Sequence, residues 1–219
     1  MPSYAVTGAA RGIELEFVAQ LSADPKNTMF ALVRNKTTAT RLESLPGKNI
    51  TILEADITDP KALEIAAKEV SSATGGKLDY LINNAALAIP ANPADIEKDF
   101  IDHFRVNTVG TAYCINAFLR LLQKGSVKKV ITISSAGGDA DVTVKTSLPG
   151  YARSKAAVNM LVAKYAARFK EEGFVFLALT PGFVNTSCAA PTPAALTAYN
   201  EFHQKILRIA PGFKGSMTP

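Results

Sequence analysis

Tyr151 and Lys155 stand four residues apart in Tyr-Ala-Arg-Ser-Lys, at the start of a stretch with helical spacing. Their side chains therefore share one helix face. A phenol with a pKa of ~10 does not exchange its proton freely at neutral pH. An ammonium within about 4–6 Å favours the phenolate, and a drop of about three units corresponds to about 4 kcal/mol. The pair is expected to make Tyr151 an acid for a carbonyl oxygen or a base for an alcohol. Alone, such a pair is usually surface decoration. Here it follows an apolar strand ending in Ser134-Ser135, which supplies hydroxyl groups beside it.

A second constellation lies at the N-terminus. Residues 7–14 read Thr-Gly-Ala-Ala-Arg-Gly-Ile-Glu between an apolar strand and a helical pattern. Glycines there let backbone approach a pyrophosphate, and the helix start offers free N–H groups and a positive dipole end. The next strand ends Leu32-Val33-Arg34-Asn35-Lys36, with no acid to receive ribose hydroxyls. Arg34 can fork onto a phosphate, and Arg11 points at the same region. The expected dinucleotide is NADP rather than NAD.

The elements that must position these groups alternate. Short apolar runs at 4–7, 28–33, 50–54, 78–82, 129–134 and 174–180 read as strands buried on both faces. Helical patterns at 13–23, 60–74, 93–123 and 151–172 lie between them. This order predicts an α/β fold: a doubly wound, Rossmann-type parallel sheet of six strands with helices on both faces. No linker or repeat divides residues 1–219, so one domain is expected. The Pro/Gly/Ala-rich stretch 181–197 follows the sixth strand, at the sheet edge where such folds bind ligands, and is expected to be a lid.

Composition removes other classes. Of 219 residues, 47% are hydrophobic and 20% charged, which excludes a disordered or collagen-like chain. No uncharged apolar run reaches the ~18 residues of a membrane span, and no secretory signal is seen. Cys114 and Cys188 form no metal or redox motif, and His103 and His203 have no partner at metal-ligand spacing, so both are read as structural or surface residues. No metal, no membrane and a cytoplasmic location are expected. Residues 110–219 carry 13 basic against 5 acidic groups, where residues 1–109 carry 11 against 14. The basic residues are scattered without interleaved aromatics, so they read as a solvated surface, with no nucleic acid as partner.

Together the motifs resemble the short-chain dehydrogenase/reductase family. The matches are Thr7-Gly8-X-X-X-Gly12, Asp56-Ile57, Asn83-Asn84-Ala85, Asn107, Ser134-Ser135, Tyr151-X-X-X-Lys155 and Pro181-Gly182-Phe183-Val184-Asn185-Thr186, in family order across residues 3–186. The Arg34-Asn35 strand end and the long segment before Tyr151 look most similar to NADP-dependent carbonyl reductases of the sniffer type. The resemblance implies Tyr151 as proton donor, Lys155 on the nicotinamide ribose, Ser135 polarising a carbonyl, and Asn107 holding a water in a relay to Lys155. It also implies cofactor contacts at Thr7, Gly8, Arg11, Gly12, Ile13, Arg34, Asn35, Asp56, Ile57, Asn83, Ala85, Pro181, Val184 and Thr186. Read from the residues alone, Asp56, Asn83 and Asn107 are as well explained by capping or turn chemistry. The implied reaction is NADP(H)-dependent reduction of a ketone or aldehyde of a small or medium apolar molecule. The substrate pocket is expected mainly from residues 137–150 and 187–209.

Three departures from the family pattern bear on this. Glu14 replaces the third loop glycine; one such charge at ~5 Å and effective ε of ~20 opposes pyrophosphate binding by about 3 kcal/mol. Ser135 lies sixteen positions before Tyr151, whereas the family serine usually stands thirteen before, where this chain has Gly138; Ser134 and Ser147 are the fallback candidates. After a possible lid helix at 193–209, too few residues follow for the family's last helix and seventh strand, so an uncovered sheet edge is expected. Monomer and homodimer stay open. The alternative to an enzyme is an impaired or non-catalytic relative acting as a cofactor-binding or interaction protein.

Overall fold

The structure is a computed structural model that describes residues 1–89, 94–139, 149–182 and 184. Six parallel strands form one sheet in the order β3-β2-β1-β4-β5-β6. They are β1 (Ser3–Thr7), β2 (Thr28–Val33), β3 (Ile50–Glu54), β4 (Tyr80–Asn83), β5 (Lys129–Ile133) and β6 (Val175–Leu179). The predicted doubly wound sheet is thus observed, and five of the six strands fall within a residue of the predicted limits at both ends. The run expected at 78–82 starts later because Leu78 and Asp79 belong to the turn leading into β4. The longer helices are α1 (Gly12–Ser22), α3 (Pro60–Thr74), α4 (Ile96–His103), α5 (Thr111–Lys124) and α6 (Pro149–Arg168), with the single turn α2 (Thr40–Glu43) after β2.

Strand alternation explains the unbroken apolar runs. In β2, Phe30 and Leu32 face a core with α3, α5 and part of α6, around Leu63, Val70, Ile115, Phe118 and Val158. Met29, Ala31 and Val33 face the other way, onto Leu15 and Val18 of α1 and Leu42 of α2. Both faces of the sheet are therefore buried, as parallel sheets require. At the β6 edge, Val175, Leu177 and Leu179 are exposed. Among the described residues no helix is long and apolar enough to cross a membrane.

The pattern expected as one helix over 93–123 is interrupted. Between α4 and α5 the chain widens into a π-helical segment, Phe104–Gly110, whose side chains include the buried Asn107. Such widened turns recur at functional sites, because the extra residue per turn re-aims a side chain. The pattern expected to continue to 172 ends as a helix at Arg168, and Gly173 reverses the chain with a φ of 76°.

Asp79 ties three strand starts together. Its carboxylate accepts from the backbone and hydroxyl of Ser3 at 3.0 and 3.1 Å, and from the backbone and hydroxyl of Ser126 at 2.9 Å each. Burial alone would raise its pKa, but the hydrogen bonds from Ser126 and Ser3 outweigh it and hold the carboxyl below its ordinary value. A carboxyl depressed in the folded state contributes stability that is full above the unfolded pKa of ~3.9 and lost as pH falls through the folded value. Asp79→Ala is expected to cost about 2–4 kcal/mol in urea unfolding at pH 7, with less cost at pH 3.

Candidate active site

The sheet order reverses between β1 and β4, so a crevice opens at their carboxyl ends. Thr7, at the end of β1, is buried, and its hydroxyl accepts from the backbone N–H groups of Asn84 and Ala85 at 3.2 Å each. This joins the glycine loop to the segment after β4. Gly8 adopts a φ of +78°, and a Cβ there would stand 2.9 Å from the Cα of Ala85. Only glycine permits this approach of two backbones. Gly12 also has positive φ, at 66°, where α1 begins, and Arg11 is exposed just before it. Ile13 is half-buried in the first turn of α1.

The second strand ends in exposed Arg34 and Asn35. The Asn35 side chain accepts from the backbone and hydroxyl of Thr37 at 2.8 and 2.7 Å, so it caps the following turn. Asp56 likewise closes a turn, accepting from the backbone and hydroxyl of Thr58 at 2.8 Å each, and Ile57 is buried beside Gly110. The turn chemistry open to Asp56 from sequence is therefore present. In the segment after β4, the Oδ1 atoms of Asn83 and Asn84 are buried without a hydrogen-bond partner. Two positive-φ glycines, backbone brought close and unsatisfied amide oxygens fit a dinucleotide in this crevice; among the described residues, Glu14 does not.

Ser135, Tyr151 and Lys155 meet at the end of β5. The Ser135 hydroxyl accepts from the backbone of Gly137 at 3.1 Å and is hydrogen-bonded to the Tyr151 phenol. Ser134, by contrast, is buried and donates to Asn159 Oδ1; Ser147 lies outside the described residues. A serine at position 138 has no room, since a Cβ there would lie 2.6 Å from the carbonyl carbon of Lys155. The chain thus passes the usual serine position against the backbone of α6 and presents Ser135 instead.

Lys155 is 4% exposed and donates to the Ile133 carbonyl at 2.7 Å, with Nζ 5.6 Å from the centre of the Tyr151 ring. Burial pushes its ammonium down to about 8, opposed by the charge of Glu14. The expected depression of the Tyr151 phenol is not what this geometry produces. Burial raises the phenol above its ordinary value, and the Ser135 hydrogen bond is what opposes the rise. Lys155 gives its hydrogen bond to the Ile133 carbonyl.

Asn107, expected to hold a water in a relay to Lys155, has its side chain hydrogen-bonded on three sides. Its amide donates to the Leu87 carbonyl at 2.9 Å and the Ser154 hydroxyl at 2.8 Å, and its oxygen accepts from Leu87 N–H at 2.7 Å. It clamps the segment after β4 onto α6. Val184 is exposed, and Pro181 half-buried. Thr186, most of the expected lid at 181–197 and residues 140–148 lie outside the described residues, as do Cys188 and His203.

The sequence reading missed one pair. Asp99 and His103 are both buried, with Nδ1 of His103 2.7 Å from the Asp99 carbonyl oxygen and 3.1 Å from its carboxylate. The His103 ring meets the Tyr151 ring edge-on, with centres 6.4 Å apart. The i, i+4 spacing was visible, but nothing local showed that this helix face turns onto Tyr151. Among the described residues no group of three His, Cys, Asp or Glu could hold a metal.

Comparisons with known proteins agree with this geometry. Residues 3–196 match the family described as short chain dehydrogenase. The chain is 39% identical to the short chain dehydrogenase virK of Hypocrea virens, over 100% of this chain and 88% of that protein. It is 41% identical to the short-chain dehydrogenase/reductase AacuF of Aspergillus aculeatus, over 100% and 87%. Among solved structures, an NADPH-bound carbonyl reductase from chicken fatty liver is similar at 33% identity and TM-score 0.78, over 85% of this chain and 81% of that one. The carbonyl reductase Sniffer of D. melanogaster is similar at 26% identity and TM-score 0.81, over 94% and 91%.

Two stability outcomes follow from the site. A Cβ on Gly150, one residue before Tyr151, would lie 2.3 Å from Asp99 Oδ2 and 2.9 Å from His103 Nδ1. Gly150→Ala is expected to cost about 2–4 kcal/mol in urea unfolding, and Asp99→Ala to recover part of that in the double variant. A lysine whose pKa is depressed on folding destabilises fully below the folded value, and the cost is relieved as pH rises towards the unfolded ~10.4. Lys155→Met is therefore expected to stabilise the free protein by about 1–3 kcal/mol at pH 7, with the gain shrinking above pH 8.

Proposed function

The chain belongs to the short-chain dehydrogenase family, and from that premise we propose that it is an NADPH-dependent reductase of ketones or aldehydes on small or medium apolar molecules. The observation that carries the proposal is the meeting of Ser135, Tyr151 and Lys155 at the end of β5, beside the Gly8 approach. The nicotinamide of NADPH, when bound, supplies the hydride.

The protein's own groups supply position and a proton. Thr7, Gly8, Arg11, Gly12 and Ile13 offer backbone and charge to the pyrophosphate. Arg34, at a strand end without an acid, favours a 2′-phosphate, and NADPH is the cofactor that the similar chicken reductase holds. Asn35, Asp56 and Ile57 border the adenine side, and Asn83 and Ala85 line the channel; the family pattern gives Pro181, Val184 and Thr186 as further cofactor contacts. Ser135 donates to a substrate carbonyl while Tyr151 protonates its oxygen. The phenol is in its protonated form at neutral pH, and the Ser135 hydrogen bond opposes the rise that burial imposes on it. Lys155 is close enough to offset phenolate charge as it develops. Asn107 acts by holding the Leu87 segment against α6. The Glu14 carboxyl in the crevice supports a second reading, an impaired relative that binds cofactor weakly.

The test is isotopic. Deuterium at C4 of NADPH is expected to appear on the carbonyl carbon of at least one member of a panel of apolar ketones and aldehydes. Tyr151→Phe is expected to lower kcat by about 10²–10⁴-fold with NADPH affinity little changed. Arg34→Ala is expected to reduce the preference for NADPH over NADH by about tenfold or more. Transfer by Tyr151→Phe at the wild-type rate would remove Tyr151 from the reaction. No transfer to any carbonyl by the wild type would favour the impaired relative.

A further inference from the structure

Glu14 is the residue that the crevice itself does not explain. It stands in the first turn of α1, and its side chain turns back towards the glycine loop. Oε1 lies 3.1 Å from the point a Cβ on Gly8 would occupy, and the carboxyl is hydrogen-bonded to the side chain of Asn84. The charged groups that act on it are Arg11, from the loop before α1, and Lys155, from α6. A carboxyl thus sits among Gly8, Asn84 and Lys155, in the place where an anionic dinucleotide has to bring its phosphates. Burial raises this carboxyl, against its own backbone hydrogen bond, the Asn84 hydrogen bond and the two cations.

We propose that Glu14 makes dinucleotide binding proton-coupled: the cofactor binds with uptake of one proton by this carboxyl, and affinity strengthens as pH falls. This rests on the NADP(H) reading above. The physical reason is charge. Ionised Glu14 can only accept hydrogen bonds and repels phosphate oxygens; protonated, it is neutral and gains a donor that an anion can use. The entering anion raises the cost of keeping Glu14 ionised, so ligand and proton bind cooperatively and each strengthens the other by the same factor. Protonation also removes the Glu14 charge that acts on Lys155. Glu14 is in this sense a specificity-determining residue of the crevice, acting through the charge of the ligand.

The experiment is a calorimetric titration of the full chain with NADPH and with NADH from pH 5.5 to 8.5, at pH 7 in two buffers of different ionisation enthalpy. Wild type is compared with Glu14→Gln and Glu14→Gly, and melting curves confirm that each is folded. The 2′-phosphate of NADPH titrates near pH ~6, so the wild-type slope is read against that of Glu14→Gln, and NADH supplies a ligand without that group. The expected result is a wild-type Kd that rises with pH, up to about tenfold per unit, more steeply than in either variant. Up to one extra proton is taken up by the wild type alone, and Glu14→Gln binds about tenfold or more tightly at pH 8. Equal slopes and equal proton uptake in wild type and Glu14→Gln would overturn the proposal while leaving the cofactor reading intact. No binding by any of the three folded proteins would overturn both.

Discussion

The buried ammonium of Lys155 is the constraint around which this site is arranged. Its hydrogen bond to the Ile133 carbonyl, together with that of Ser134 to Asn159, fixes α6 against the end of β5 and places Tyr151 one helical turn away, within reach of Ser135. Few groups compensate the charge: Glu14 opposes the burial that brings the lysine to about 8. A cation held so dry is a strained choice for stability and a useful one for chemistry, since it offsets negative charge developing nearby far better than a solvated lysine does.

The parallel sheet makes that attachment possible. All six strands end on the same side, so the glycine loop, the Asn83–Ala85 segment, Ser135 and the start of α6 converge without any one of them being long. What the sheet does not set, buried polar side chains do. Thr7 joins β1 to the segment after β4, Asn107 joins that segment to α6, and Asp99 with His103 packs under Gly150 and Tyr151. Each replaces a hydrophobic contact with a directional one, which holds geometry more tightly than packing alone.

Much of this was legible in the chain. Residues such as Met29–Val33, apolar on every position, announced a strand buried on both faces, and Tyr151 with Lys155 announced a shared helix face. The doubly wound sheet followed from the alternation of strands and helices, and Ser134-Ser135 before that pair marked hydroxyl groups beside it. The remainder was hidden for physical reasons. The π-helical widening at Phe104–Gly110 leaves no periodic signal, because one added residue per turn looks like ordinary helical spacing. The burial of His103 depends on a helix packing that local sequence does not encode. The raised phenol of Tyr151 depends on its burial, which spacing does not encode, and spacing alone had suggested the opposite direction. Glu14 was visible as a departure from the family pattern, yet its reach to Gly8 and Asn84 emerged only in three dimensions.

The central claim is that the crevice between β1 and β4 receives NADPH, selected at Arg34. The most direct measurement is a thermal-shift titration of the purified chain with NADPH and NADH side by side, since a ligand that binds only the native state raises the melting temperature. The account predicts stabilisation by NADPH at far lower concentration than by NADH. Equal stabilisation by the two, or none by either across the pH range 5.5 to 8.5, would contradict it.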